Sequence, residues 1–552
     1  MLPRRALHAV LTALFLCCLP GTASAQAGFQ AIDSLFRGID STTPGCVVAL
    51  DSAGTRIWLH SYGRRHLELP GLNDSLTVFE AGSVSKQVTA AAVLLLARAG
   101  RLSLDDDVRR WIPELPALGA TTVRELLTHQ SGWRDWGSLV EMTRWPRGTA
   151  TWTPDDILAL LVRQRALNFA PGSEYAYSNT NYVLAAEIVR RASGESFGAY
   201  THRVIFAPLG MTSTRWRDDL GVVVPLRASA WTPNDSGRFV LDMPFETVVG
   251  PGGLLTTVPD LLEWLDNLDT EQVGGPGFTA AMEQAGVLRS GRRTAYALGL
   301  ELDLLDGEPM VSHAGSTGGY RAWAGRLPGR RLAVALLCNT GALDTEDMGP
   351  VILALAAGLR PSSRPSEPPA LGEPVTEGSR SAMAGLYRST RTGQPVRVRT
   401  FERGISINTW VAYLPRPDGR YETPDSSRRL RFQKNAGGHP SGFWLVTATG
   451  DSVQYDRVED WSPSASVLNG FAGRYRSDEV GATWELRVEG NVLVVLRGPG
   501  VRDVLAPRFR DAFSVPSQGW LLTFRRNAAA QVTAVDVGTD RMRRLTFTRV
   551  SG

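Results

Sequence analysis

Phe79-Glu80-Ala81-Gly82-Ser83-Val84-Ser85-Lys86-Gln87 runs directly into the alanine- and leucine-rich stretch Val88 to Ala99, which has neither proline nor glycine until Gly100. Such a run predicts a helix of about three to four turns with Ser83 at its N-terminus and Lys86 one turn along on the same face. A nucleophile placed there gains from the positive end of the helix dipole and from backbone N–H groups able to stabilise an oxyanion. The amine three residues later can hold or take its proton. An isolated S-x-x-K is commonly no more than a serine cap before a solvated lysine. Here composition adds weight, because 59 residues are lysine or arginine and only two of them, Lys86 and Lys434, are lysine. Arginine supplies surface charge wherever the chain needs it but cannot be deprotonated, whereas a buried lysine can serve as a base.

Working outward, Met1 to Ala25 has Arg4 and Arg5, an apolar core from Ala6 to Leu19, and Ala23-Ser24-Ala25 before Gln26. This predicts a secretory signal peptide cut after Ala25, too short to span a membrane, and hence a secreted or periplasmic protein. Cys17 and Cys18 would leave with it, so that Cys46 and Cys338 remain. Loss of Arg4 and Arg5 takes the formal charge from +4 to about +2, which gives no reason to invoke nucleic acid. The charge is uneven: the chain is acidic up to Ser379 and basic from Ser381 onward. Either the two parts attract one another, or arginines simply fill exposed strand positions.

About 527 residues after the leader are too many for one core. Pro361 to Ser379, with prolines at 361, 365, 368, 369 and 374, reads as a semi-rigid linker with no core or helix of its own. Before it, hairpin strands at Cys46 to Asp51 and Arg56 to Tyr62 precede helical stretches at Leu104 to Ile112, Thr121 to Thr128, Pro154 to Gln164, Val183 to Ala192 and Val258 to Leu268. Thr153 and Thr257 are the expected caps of the helices at Pro154 to Gln164 and Val258 to Leu268, each with a proline in its first turn. Three strands, Met310 to His313, Tyr320 to Leu327 and Leu332 to Cys338, and a helix at Val351 to Leu359 close the unit. Strands at both ends of a helical middle predict an α+β domain over 26–360 whose sheet joins its own termini.

Beyond the linker the pattern becomes short alternating strands with no helix expected. Met383-Ala384-Gly385-Leu386-Tyr387-Arg388-Ser389 recurs as Phe471-Ala472-Gly473-Arg474-Tyr475-Arg476-Ser477, and the copies end on Arg457-Val458 and Arg549-Val550. Two repeats, 380–462 and 463–552, therefore predict two small antiparallel barrels.

A serine nucleophile needs a base partner and an oxyanion site. In Pro171-Gly172-Ser173-Glu174-Tyr175-Ala176-Tyr177-Ser178-Asn179, Tyr177 and Asn179 alternate and can point into one cleft. A tyrosine whose pKa is lowered by Lys86 could take the serine proton, and Asn179 could hold a substrate amide. In Val311-Ser312-His313-Ala314-Gly315-Ser316-Thr317, Gly315 would let a substrate backbone approach the strand edge, and the Ser316 N–H could join that of Ser83 as oxyanion donor.

Ser83-Val84-Ser85-Lys86, Tyr177-Ser178-Asn179 and His313-Ala314-Gly315, in this order, resemble the three signatures of the serine β-lactamase and penicillin-binding superfamily. The class C-like branch of D-alanyl-D-alanine carboxypeptidases, D-aminopeptidases and esterases is the nearest likeness. Leu126-Leu127-Thr128-His129-Gln130-Ser131-Gly132 and Gly252-Gly253-Leu254-Leu255-Thr256-Thr257 extend it over roughly Ala31 to Gly358. The resemblance implies a β-lactamase/DD-peptidase-like domain, an antiparallel sheet flanked by helices with a helical subdomain, followed by two lipocalin-like β-barrels like those appended to D-aminopeptidases. It further implies Ser83 as acylated nucleophile, Lys86 and Tyr177 sharing general-base duty, Asn179, His313 and Gly315 at the substrate, and the Ser83 and Ser316 amides as oxyanion hole. His313 stands where the family often has lysine. Near its ordinary pKa of about 6.5 it would offer substrate carboxylates only a weak, pH-dependent charge, which favours peptides or esters over β-lactams. His129 is expected to hold its turn. In this fold Cys46 and Cys338 would lie on neighbouring strands, and an exported chain could bridge them.

The expectation is thus an exported serine hydrolase working through an acyl-enzyme on D-amino-acid-containing or cell-wall-type peptides. An esterase or transesterase with the same residues is the alternative, and a non-catalytic peptidoglycan-binding or sensor protein a third reading. The partner is a small peptide or ester. No P-loop, Rossmann fingerprint or zinc-spaced cluster implies a cofactor or metal, and composition does not decide the oligomeric state.

Overall fold

The computed structural model describes residues 20–360, 377–408, 411–424, 426–447 and 450–550. The predicted leader up to residue 19 and the linker up to residue 376 lie outside them. The first unit is built on a six-stranded antiparallel sheet. Its strands are β1 (Cys46–Ser52), β2 (Thr55–Tyr62), β3 (Glu301–Leu305), β4 (Glu308–Thr317), β5 (Tyr320–Leu327) and β6 (Leu332–Cys338), in the order β2-β1-β6-β5-β4-β3. The sheet does join its own ends: β1 pairs with β6 so that Cys46 faces Cys338, and the two form a disulfide.

Both faces of this sheet are covered, and the period-two alternation of its strands shows how. Val48 and Leu50 of β1, with Val334 and Leu336 of β6, pack on Ile32 of the N-terminal helix Pro20–Ser34, on Phe36 in the turn after it, and on Ile352 and Leu353 of the helix Thr345–Ala357. Val47, Ala49, Ala333, Ala335 and Leu337 point the other way, into a larger core. That core holds the helices Ser85–Arg98, Asn179–Ser193 and Val258–Thr270. Helix Ser85–Arg98 is buried on nearly every side, which explains its alanine-rich composition: small side chains let it lie at the centre of the unit. Thr153 and Thr257 cap Pro154–Val162 and Val258–Thr270 as expected. The expected helices at 104–112 and 121–128 shrink to Val108–Trp111 and Val123–Leu127, the latter halted where His129 turns into the left-handed region at φ +56°.

The C-terminal part forms two closed eight-stranded antiparallel barrels, Gly385–Ser389 to Ser452–Val458 and Gly473–Ser477 to Leu545–Val550. Each repeat motif closes its barrel in the same way. Tyr387 donates to the Met383 carbonyl and Tyr475 to the Phe471 carbonyl, both at 2.8 Å. Arg457 and Arg549 lie over these tyrosine rings and donate to the carbonyls flanking Gly385 and Gly473, respectively. Aromatic side chains fill both interiors, among them Tyr413 and Phe443 in the first and Trp484, Phe513 and Phe547 in the second. Two short helices, Glu377–Met383 and Ala465–Asn469, correct the expectation that none occurs here. The first starts inside the span predicted as linker, three residues past its last proline at Pro374, where the backbone is again free to coil.

The second barrel shares one hydrophobic core with the helices of the first unit. Trp484 donates to the Met142 carbonyl at 3.1 Å, and buried Arg134 meets Glu479 at 2.7 Å. Ion pairs across the boundary run both ways: Arg543 and Arg391 reach Glu174, while Arg292 reaches Asp451 and Arg165 reaches Asp478. Local pairing, not attraction between an acidic and a basic half, organises this contact.

Candidate active site

The 3-10 turn Gly82–Val84 carries Ser83 into the start of helix Ser85–Arg98. Its shape depends on two glycines that face one another. A Cβ on Gly82 would lie 2.6 Å from the Ser316 nitrogen, and one on Gly315 would lie 2.1 Å from the Ala81 carbonyl oxygen and 3.1 Å from the Ser83 nitrogen. The turn and strand β4 therefore touch through bare backbone, and this contact brings the Ser83 and Ser316 amides together. Gly315 is thus committed to the protein's own backbone; the expectation that it opens the strand edge to substrate is corrected, since the space is already filled by Ala81.

Lys86 is buried, and its ammonium nitrogen lies 3.0 Å from Ser83 Oγ, 2.9 Å from Asn179 Oδ1 and 2.8 Å from the Pro251 carbonyl. Burial holds its pKa well below the ordinary lysine value, with Asp135 opposing the shift and Arg541 adding to it. Lys86 therefore gives up its proton more readily than an exposed lysine. Asp135 works at one remove: one oxygen caps the helix Trp136–Glu141 and the other accepts the Asn179 N–H at 2.7 Å. That bond fixes the first turn of Asn179–Ser193 and so the carboxamide that reaches Lys86.

The Tyr177 hydroxyl faces the Ser83 side chain, and its ring centre lies 4.8 Å from Lys86 Nζ. The sequence led us to expect a phenol acidified by Lys86. Instead burial pushes its pKa up, so Tyr177 is a neutral phenol beside Lys86. His313 is brought to the same cleft on β4 but is inward-facing and only 2% exposed. Its Nδ1 donates to the Ala314 carbonyl at 2.6 Å, and Nε2 accepts from the Tyr296 hydroxyl at 2.9 Å. Burial and Lys86 depress its pKa to about 3, which corrects the expectation of a charge titrating near neutrality. His129 is, as expected, a holder of its turn: its Nδ1 accepts from the Ser178 N–H at 3.2 Å and faces the Asn181 carboxamide at 3.1 Å.

Sequence reasoning missed four contributors. The Pro251 carbonyl precedes the Gly252-Gly253 run that had been noticed only as a likeness. Asp135 and Tyr296 carry no local signature. Arg541, from the second barrel, places its guanidinium 5.0 Å from the Tyr177 ring centre.

A serine whose hydroxyl meets a buried lysine of lowered pKa, with a neutral phenol beside it and its turn packed on a strand edge, is the site of a serine hydrolase. The chain belongs to the beta-lactamase family, whose pattern it matches over residues 32–357. It is 24% identical over 536 residues to the D-aminopeptidase of Brucella melitensis, an alignment that covers 93% of this chain and 96% of that one. Among solved structures it resembles the octameric penicillin-binding protein homologue from Pyrococcus abyssi, with 20% identity, a TM-score of 0.53, and coverage of 87% of this chain and 99% of that one. It also resembles a D-stereospecific amidohydrolase from Streptomyces sp., with 23% identity, a TM-score of 0.50, and coverage of 61% and 99%. These two likenesses concern the fold. Among the described residues no helix is long and apolar enough to cross a membrane.

Proposed function

We propose that this serine hydrolase is an exported peptidase that cleaves small D-amino-acid-containing or cell-wall-type peptides through an acyl-enzyme on Ser83. The observation that carries the mechanism is the 3.0 Å contact between Ser83 Oγ and a lysine whose pKa burial holds well below its ordinary value. The near end-to-end alignment with a D-aminopeptidase, both barrels included, supports the substrate class. The Cys46–Cys338 disulfide and the leader-like N-terminus support export.

In the first step Ser83 Oγ bonds to the substrate carbonyl carbon while its proton passes to Lys86, with Tyr177 able to share it. The Ser83 and Ser316 amides hold the oxyanion. Collapse breaks the C–N bond, and the leaving amine takes a proton from Tyr177, which is restored by the Lys86 ammonium. Water then repeats the sequence in reverse: it bonds to the acyl carbon, gives its proton to Lys86, and Ser83 leaves as the hydroxyl. Asn179 orients the substrate amide and Lys86 together. A fluorophosphonate probe should label wild type and spare Ser83→Ala. With folded protein, D-alanyl amides and D-Ala-D-Ala peptides should then be cleaved by wild type alone. Equal labelling of both proteins, or of neither, would overturn the reading.

A further inference from the structure

Strand position 313 contributes no positive charge, since His313 is neutral and turned inward. A cation nevertheless faces the cleft, and it comes from the far end of the chain. The loop between the last two strands of the second barrel, Val532–Gly538 and Leu545–Val550, lies against Tyr177. Backbone and neighbouring groups hold it there. The Asp135 N–H and the Asn168 carboxamide both donate to the Arg541 carbonyl, the Arg543 N–H donates to Asn168 Oδ1 at 2.7 Å, and Arg543 pairs with Glu174 at 2.9 Å. None of these bonds uses the Arg541 side chain, which is exposed.

Behind Tyr177 opens a cavity of about 880 Å³ walled by the Tyr175–Tyr177 segment and by both barrels. Six arginines line it, at 391, 397, 399, 508, 541 and 543, against one carboxylate, Asp540. Arg391, Arg397 and Arg543 are already neutralised by Asp451, Asp460 and Glu174. Among the described residues Arg399 and Arg541 form no ion pair with a carboxylate, while Arg508 donates to the Ser514 hydroxyl at 2.7 Å and feels the Asp460 carboxylate that Arg397 already holds. Two guanidiniums without a carboxylate partner, and a third that shares one, therefore border a concave space, with Arg541 against the ring that also touches Lys86, and guanidiniums so placed suit a carboxylate.

We infer that the cavity between the barrels is an extended substrate subsite for a carboxylate-bearing segment, with Arg541 as its first contact beside the reacting centre. The barrels thus supply the cation that His313 withholds, and they select the anionic end of the substrate. The inference rests on the proposed hydrolase site but can be measured without turnover.

The test uses full-length Ser83→Ala protein titrated calorimetrically with N-acetyl-D-alanyl-D-alanine and with its C-terminal amide. A charge-assisted hydrogen bond predicts that the acid binds about tenfold or more tightly than the amide. The difference should shrink in 0.5 M salt, vanish in Arg541→Gln and return in Arg541→Lys. Equal affinity for acid and amide, no binding of either at 10 mM, or a preference that survives Arg541→Gln overturns the inference. A parallel comparison of succinyl- and acetyl-D-alanine p-nitroanilide with active enzyme shows whether acyl-side carboxylates use the same arginine. Failure of the Ser83 reading would appear separately, as fluorophosphonate labelling unchanged by Ser83→Ala.

Discussion

Replacing Gly315 by alanine tests the physical account of the oxyanion site most directly. The glycine is not required by its backbone angles, since it is absent from the positive-φ positions. The only thing alanine adds is a methyl group, and it would sit 2.1 Å from the Ala81 oxygen, against the 3.4 Å at which ordinary contact begins. The clash is with backbone on both sides, so strand β4 and the Gly82–Val84 turn must separate by about 1 Å, a displacement of the size that costs oriented catalysis about 10²-fold. The Ser83 and Ser316 amides then no longer converge on one point. Losing one oxyanion donor costs about 10²–10³ in kcat, and the overpacked contact costs about 1–3 kcal/mol of stability. Steady-state hydrolysis of a p-nitrophenyl ester, alongside thermal unfolding, reads both quantities. The expected result is folded protein with a kcat reduced about a hundredfold or more and a KM changed far less. A folded Gly315→Ala enzyme with kcat within threefold of wild type would refute the argument that this backbone contact builds the oxyanion site.

Three further outcomes follow from the buried groups. Lys86→Arg keeps the charge but cannot lose it, so acylation should fall by about 10²–10⁴ with the protein still folded; in wild type the acid limb of kcat/KM should lie well below the ordinary lysine pKa of 10.5. Glu301, half-buried near Glu346 and Asp303, has its pKa raised to about 7, chiefly by desolvation. The folded state therefore binds this proton more tightly than the unfolded chain, and stability is lost as pH rises from about 4.5 through 7; Glu301→Gln should raise the unfolding midpoint at pH 8 and leave it unchanged at pH 4. Cys46 and Cys338 are fully buried and join residues 292 apart, so dithiothreitol should leave the native protein oxidised, while the Cys46→Ser/Cys338→Ser double variant should unfold with about 2–5 kcal/mol less stability.

The parts of this molecule that were legible in its sequence are those whose determinants are local. The Ser83 helix, the capped helices after Thr153 and Thr257, and the alternating strands each follow from a window of ten to fifteen residues. The repeat was legible because two copies of one hydrogen-bond arrangement, Tyr387 to Met383 and Tyr475 to Phe471, demand the same residues twice. Ionisation states were not legible, since burial decides them and burial depends on the whole fold. Tyr177 was read as acidified by Lys86 and His313 as titrating near its ordinary pKa, and desolvation reverses the reading for both. Gly315 was misread for a related reason: a glycine at a strand edge signals close approach of some backbone, and only the folded chain shows that Ala81 is the one that approaches.

Arg541 marks the limit of local reading, because its place at Tyr177 depends on how the second barrel seats. That seating is itself demanding. Arg134 is 2% exposed and would be an uncompensated buried charge without Glu479, Gln164 and the carbonyls of Arg543 and Arg544, which the barrel and its neighbours provide. The first unit therefore carries a guanidinium that is satisfied only when the barrel is docked, and the carbonyls that satisfy it belong to the very loop that presents Arg541. Docking of the barrel and completion of the cleft are in this way one event. A chain that had merely tethered two barrels to a hydrolase would have no reason to bury Arg134 at their boundary.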